Sequence, residues 1–248
     1  MMFVRLLIFI LLSLSVLAQD NFILKIGTMD LPPYGWEDSK GKHGIIYELN
    51  EEIGKRSGYK YQNTILPFKR MLSLLKNGEI DLISSQAHRD SLEAGDRLAV
   101  QFEIDVIVAT KKSSKIQSLK DLDKKRFVFH RSASYRQLEG VPLNIIRVNS
   151  YEQSVKVLAS NRLSDAGVFS EPAFYYWVKE LGYDLSNFGK TLLLEGGKKQ
   201  WIIVRKDLPL DKRIKLKEVI ESLYKERLYQ KKLQKYGKPT ISSIISVP

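Results

Sequence analysis

The chain has 248 residues, 44% of them hydrophobic and 27% charged, with 15 Gly, 8 Pro and no Cys. These values belong to a folded globular protein and exclude a collagen-like repeat, wholesale disorder and a disulfide scaffold. Forty Lys and Arg against 28 Asp and Glu give a formal charge of +12, which taken alone would suit nucleic acid, an anionic membrane or an acidic ligand as partner.

The first residues redirect that reading. Met1 to Arg5 is a short positive head, Leu6 to Leu17 is an almost unbroken apolar stretch, and Val16-Leu17-Ala18 puts small residues where a signal peptidase reads. This order predicts a cleaved export signal over residues 1–18. Twelve apolar residues fall short of the roughly 20 that a membrane-spanning helix needs. An uncleaved anchor is the alternative, and Gln19-Asp20-Asn21, polar at once, argues against it. Removal of residues 1–18 takes one charge, Arg5, and leaves +11. Export to a periplasm removes most nucleic-acid readings, and the lack of Cys leaves no lipid-anchor cysteine. A soluble periplasmic monomer with no nucleic-acid partner, no metal and no cofactor is expected.

Strand-like runs then alternate with helical periodicity almost to the end, which predicts an α/β fold with parallel pairing. Phe22 to Met29 reads as a strand. Ile45, Ile46, Leu49 and Ile53 mark one face of a helix ending near Gly58, and Tyr59 to Leu66 returns as a strand. A helix starts at Pro67 and stops at Asn77-Gly78, and Ile80 to Ser84 is the next strand. That is β-α-β-α-β, a doubly wound unit. Phe102 to Ala109 is a long apolar run, after which the alternation restarts. Strands are predicted at Arg126 to His130, Asn144 to Val148 and Asp165 to Phe169, and helices at Tyr151 to Asn161 and Glu171 to Leu181. Thr191 to Leu194 and Gln200 to Arg205 read as two further strands before one long terminal helix. Ten Lys and Arg lie between Lys212 and Lys238 against three Glu. Leu216, Val219, Ile220, Leu223 and Tyr224 recur there at helical spacing, so the cations read as the solvated side of an amphipathic helix, with a dedicated binding patch as the alternative.

The order of residues adds to the order of elements. Lys25-Ile26-Gly27-Thr28, Pro32-Pro33-Tyr34, Gly44 and Gly78-Glu79-Ile80-Asp81-Leu82-Ile83 come first. Ile107-Val108-Ala109-Thr110-Lys111-Lys112, Ser118-Leu119-Lys120-Asp121-Leu122, Trp201-Ile202-Ile203-Val204-Arg205-Lys206-Asp207 and Leu233-Gln234-Lys235-Tyr236-Gly237 follow. Together these resemble the family 3 extracellular solute-binding proteins, periplasmic receptors of polar amino-acid ABC importers. The resemblance implies a two-lobed type II periplasmic binding protein fold, with residues 19–109 plus 204–248 as one lobe and 110–203 as the other. It also implies a small polar ligand, an amino acid or related zwitterion or anion, held in the cleft and passed to an ABC permease by hinge closure. Open α/β sheets place their crevice at the carboxyl ends of the strands on physical grounds alone.

Candidate ligand-binding residues follow from those strand ends. Tyr34 and Trp36 after the first strand and Phe68 after the next could wall a ligand or take an ammonium over a ring face; ordinary core packing is the competing reading. Ser84 and Ser85, with Gln86, offer hydroxyls and an amide, or form a plain loop. Arg89 could grip a carboxylate through paired charge-assisted hydrogen bonds. Counted from Asp81, the family's arginine spacing lands on Glu93, so Arg89 matches with a gap. Arg70 is a second cation, with a structural ion pair as its alternative. Ser132 and Ser134, before a short helix near Tyr135, match the family's carboxylate-binding turn, or cap that helix. Glu171 matches the position where the family pairs the ligand's amino group, and a carboxylate suits a first helical turn in any case.

Catalytic signatures are thin. H-E-x-x-H, G-x-x-x-x-G-K-[ST] and G-x-G-x-x-G do not occur, and His43, His88 and His130 lack close metal-ligand spacing. Ser73-Leu74-Leu75-Lys76 satisfies S-x-x-K without its partner motifs. The expectation is therefore a binding protein and not an enzyme. Two alternatives share the cleft: a ligand sensor read by a membrane kinase, and a cyclohexadienyl dehydratase-like enzyme in which Glu171 acts as general acid.

Overall fold

A computed structural model describes residues 22–131, 135–160 and 162–236. The expected export signal, Ser132 and Ser134 lie outside the described residues. No helix among the described residues is long and apolar enough to cross a membrane.

The first half follows the periodicity closely. Strand β1 is Ile23–Met29, followed by a small antiparallel hairpin of β2, Trp36–Asp38, and β3, Gly41–His43. Helix α1, Ile45–Ser57, buries Ile45, Ile46, Leu49 and Ile53, the stripe predicted from the sequence, and stops at Gly58 in the left-handed region. Then come β4, Lys60–Leu66, α2, Phe68–Lys76, and β5, Leu82–Ser85. A six-residue helix absent from the sequence reading, α3, Arg89–Ala94, leads into β6, Asp96–Lys111.

The second half repeats the pattern with β7, Arg126–His130, β8, Asn144–Val148, α4, Tyr151–Ala159, β9, Ala166–Ser170, and α5, Glu171–Glu180. The short helix expected near Tyr135 is a single 3-10 turn, Arg136–Leu138. The two strands expected at 191–205 are one, β10, Phe188–Val204. Glu195-Gly196-Gly197 reads as a break in sequence, but pairing with β6 continues on both sides of it through two bulges. Gly197 takes a φ of +62° there, and its N–H donates to Asp105 Oδ1 at 2.9 Å. The single terminal helix is in fact two, α6, Leu210–Lys225, and α7, Leu228–Lys235, separated at Arg227 with φ +54°. Tyr224, in the last turn of α6, is 43% exposed, while Leu216, Ile220 and Leu223 form the buried face.

The eight long strands form one sheet in the order β4-β1-β5-β10-β6-β9-β7-β8. β4, β1 and β5 are parallel, as are β8, β7 and β9. The paired crossing strands β6 and β10 run through the middle: β10 meets β5 antiparallel through Trp201–Val204, and β6 meets β9 through Val106–Thr110. Leu24, Ile26, Leu82, Leu216 and Ile220 fill one face of the first parallel group, and Met71, Leu75, Ile80 and Ile83 the other. Phe127, Val108 and Val168 against Val155, Leu158 and Phe174 do the same for the second. All six parallel strands therefore deliver their carboxyl ends toward the loops that precede helices, where open α/β sheets hold their crevice.

Candidate functional site

Two of those carboxyl ends meet. The loop after β1 is pressed back on itself: at Gly44, φ +121°, an added Cβ would stand 2.4 Å from the Tyr34 carbonyl oxygen, a position that tolerates glycine alone. Tyr34 is thereby fixed, 5% exposed, and its hydroxyl donates to Ser170 Oγ at 2.7 Å. Ser170 is the last residue of β9, 136 positions away in sequence. Burial pushes the Tyr34 phenol well above its ordinary value, so it remains a neutral donor. The Tyr151 phenol is pushed up by burial and drawn down again by Ser170 and by Tyr135. Tyr34, Ser170, Tyr151 and Tyr135 thus line one strip of hydroxyls between the two parallel groups.

A second meeting point lies beside it. Lys198 on β10 pairs with Glu195 at 3.1 Å and stands 5.3 Å from the Tyr135 ring centre. His88, at the end of the first group, feels the same ammonium: burial lowers its pKa first, Asp90 raises it, and Lys198 lowers it again. The His88 ring in turn meets Phe68 edge-on at 5.4 Å.

The predicted residues distribute unevenly over this arrangement. Tyr34 and Phe68 lie at it. Trp36 sits on the crossing-strand side, packed against His43, Tyr176 and Tyr236 at 5.5, 5.7 and 5.8 Å. Glu171, half-buried, opens α5 directly after Ser170. Ser84 is 1% exposed and donates to Gln101 Oε1 at 2.5 Å. Gln101 donates to Asn50 at 3.0 Å, Asn50 to Thr28 at 2.9 Å and Thr28 to Asn63 at 2.7 Å. That hydroxyl therefore belongs to a buried polar chain beneath the crevice. Ser85, 3% exposed, meets Ser91 Oγ at 2.8 Å and anchors α3. Arg89 is not brought to the hydroxyl strip: its side chain is 88% exposed and donates to Glu93 at 2.7 Å, the very residue on which the family's arginine spacing lands. Arg70 is exposed on α2.

The residues missed from sequence are Ser170, Tyr151, Tyr135, His88 and Lys198. For Ser170 a signal was present: it is the last residue of β9, at a strand's carboxyl end immediately before a helix, the position where open α/β sheets form their crevice. No group of three or more His, Cys, Asp or Glu placed to hold a metal occurs among the described residues.

Comparison with known proteins agrees with this architecture. The family described as bacterial extracellular solute-binding proteins, family 3, matches residues 24–239. The arginine-binding extracellular protein ArtP of Bacillus subtilis (strain 168) is 27% identical over 141 residues, 55% of this chain and 51% of that protein. The putative amino-acid ABC transporter-binding protein PatH of Vibrio harveyi is 24% identical over 163 residues, 64% of this chain and 66% of that protein. The chain thus spans about half of the first of these relatives and 66% of the second. An ancestral arginine-binding protein bound to arginine superposes with a TM-score of 0.67 at 22% identity, over 86% of this chain and 97% of that one. The shared fold is that of the type II periplasmic binding proteins. By its matched span and its sheet order, the chain belongs to the family 3 extracellular solute-binding proteins.

Proposed function

We propose that this chain, once exported to the periplasm and freed of residues 1–18, captures a small polar solute between two lobes, releases it unaltered and delivers it to an ABC permease. The lobes are residues 19–109 plus 204–248, and 110–203, with β6 and β10 as the connecting strands. The solute is an amino acid or related zwitterion, the class named for both curated relatives. The observation that carries this reading is the Tyr34–Ser170 contact at 2.7 Å, which joins strand ends from the two parallel groups across a crevice.

In this reading the solute bridges Tyr34, Phe68 and Trp36 on one side to Ser170, Glu171, Ser132 and Ser134 on the other, with Ser84 and Ser85 holding the floor of the first lobe in place. Arg89 joins by leaving Glu93. That exposed pair, four residues apart on one helix, holds it only weakly. Because the solute touches both lobes only when they are together, it binds the closed state better and shifts the population toward it.

A calorimetric and thermal-shift screen of the mature protein against amino acids, small carboxylates, polyamines and sugars tests the proposal. One class should raise the melting temperature, by a further increment for each tenfold rise in its concentration, since a ligand of the native state stabilises it logarithmically. Binding by none of them, or chemical turnover of the one bound, overturns it. Tyr34→Phe removes the inter-lobe bond while keeping the ring; it should cost about 1 kcal/mol of stability and change solute affinity without unfolding the protein.

A further inference from the structure

Pairing shows which face of the crossing strands the hydroxyl strip occupies. Opposed residues of an antiparallel ladder share a face, and so do residues two apart on a regular strand. Ile104 of β6 packs in the cluster that holds Tyr34, so Ile104 and Val106 mark the Tyr34 face. The bulges beside Glu195 insert their extra residues into β10 and leave the alternation of β6 intact. Ser170 and Glu195 both oppose Val106, and Lys198 opposes Ile104. Lys198, Glu195 and Ser170 therefore lie on the face that carries the strip, while Lys199, opposed to Glu103, lies on the other.

Lys198 also lies between the two parallel groups along the chain. Toward the first group, β10 reaches the carboxyl end of β5 three residues later, at Trp201↔Ser85. Toward the second, the Lys198 ammonium stands 5.3 Å from the ring centre of Tyr135, which follows β7 and bonds to Tyr151 in the strip. Its ion pair is with Glu195, three residues away across the bulge, where Nζ donates to Oε2 at 3.1 Å and both side chains are partly exposed. A pair of that kind contributes little. An ammonium on a flexible four-carbon stem can turn from it to another acceptor while the backbone stays in place. The +12 of the whole chain favours an anionic visitor from further away.

We propose that Lys198 is a specificity-determining residue of the crevice and takes an acidic group of the captured solute, exchanging Glu195 for it beside the Tyr135 ring. The solute is then an acidic amino acid or a small dicarboxylate. Its second carboxylate meets the Lys198 ammonium on the crossing strands, and its other polar groups are left to the rims of the crevice. This deepens the capture reading and rests on it.

L-glutamate, succinate, L-glutamine and L-arginine, titrated calorimetrically into the full mature chain, test it. Glutamate or succinate should bind at least about tenfold more tightly than the other two, the difference made by a hydrogen bond between charged groups. Glutamate ahead assigns an amino acid, and succinate ahead a dicarboxylate. Lys198→Met keeps the aliphatic stem and removes the charge, and should weaken the preferred acid at least about tenfold. Lys198→Arg should retain most of the affinity, and Glu195→Gln, which frees the ammonium, should raise it. Lys199→Met takes the same charge from the other face and should change nothing. A wild type that binds none of these probes, nor any in the wider screen, defeats capture itself. A wild type that prefers glutamine or arginine defeats acid selection and leaves capture standing. Unchanged acid affinity in Lys198→Met also defeats it, as do equal losses in Lys198→Met and Lys199→Met, which would make net charge responsible. If Lys198→Met does not fold, failure of Glu195→Gln to tighten the acid defeats it instead.

Discussion

The two parallel groups of strands are built alike at one end and differently at the other. At the amino ends, an aspartate just before the innermost parallel strand ties the first strand of its group to a crossing strand. Asp81, before β5, accepts the Lys25 N–H of β1 at 2.7 Å and the Arg205 guanidinium, just past β10, at 2.8 Å. Asp165, before β9, accepts the Arg126 N–H of β7 at 3.0 Å and the ammonium of Lys111, at the end of β6, at 2.8 Å. At the carboxyl ends the likeness stops. The first group backs its crevice with the polar chain Ser84-Gln101-Asn50-Thr28-Asn63, closed by Asn63 donating to Glu51 at 3.0 Å. The second ends in Ser170, Tyr151 and Tyr135, whose hydroxyls bond to one another. The amino ends thus repeat a stabilising device, whereas the carboxyl ends differ: one is backed by a buried polar chain and the other ends in a strip of hydroxyls.

If the aspartates are structural equivalents, burial should rank them. Asp81 has a side chain 7% exposed against 18% for Asp165. Asp81→Ala leaves the Arg205 guanidinium without its buried partner and should cost about 3 to 5 kcal/mol, read as a loss of urea midpoint. A smaller loss than that of the Asp165 variant would break the comparison.

The polar chain comes next. Asn50 is fully buried, donates to Thr28 and accepts from Gln101. Asn50→Ala strands the Gln101 amide in the interior and should cost about 3 kcal/mol, more than removing any hydroxyl of the opposite wall. Equal losses on the two walls would mean that neither is the stiffer.

Asp165 adds a pH signature. Burial acts to raise its carboxyl, but Arg126 and Lys111 outweigh burial and hold it well below the ordinary carboxylate range. A depressed folded pKa contributes stability that is present above the unfolded value near 4 and is lost as pH falls through the folded one. Asp165→Asn should therefore cost about 2 kcal/mol at neutral pH and flatten the acid limb of the stability curve below about pH 4. An unchanged acid limb would show that the pair contributes nothing net.

Much of this was readable in the chain. The apolar stripes of α1 and α2, the buried runs of β1 and β7 and the alternation of strands with helices all follow from periodicity, because each element buries one face. Three features were not readable for reasons of physics. Glu195-Gly196-Gly197 carries a turn's composition, and only pairing with β6 on both sides makes it a bulge. Helix α3 is too short for periodicity to register and depends on His88, whose ring accepts the Ser91 N–H at 3.4 Å. Ser84 looked like a crevice hydroxyl because the strand ends there; that its lone use is to hold Gln101, 17 residues on, depends on how β5 and β6 sit in the folded sheet.

The smallest effect on stability belongs to Arg89, and it decides whether the stiff wall also supplies a charge. Its guanidinium is exposed and spends itself on Glu93, four residues along the same helix, so Arg89→Ala should leave the melting temperature unchanged. If the solute is a zwitterion whose amino group meets Glu171, its carboxylate needs a cation elsewhere in the crevice. Arg89, on α3 directly after the end of β5, can then exchange Glu93 for the ligand at little cost. Arg89→Ala should weaken such a solute at least tenfold, as loss of a charge-assisted hydrogen bond does. Glu93→Gln, which frees the guanidinium in advance, should strengthen it slightly. Unchanged affinity in both variants would remove Arg89 from the site and leave carboxylate recognition to the opposite wall.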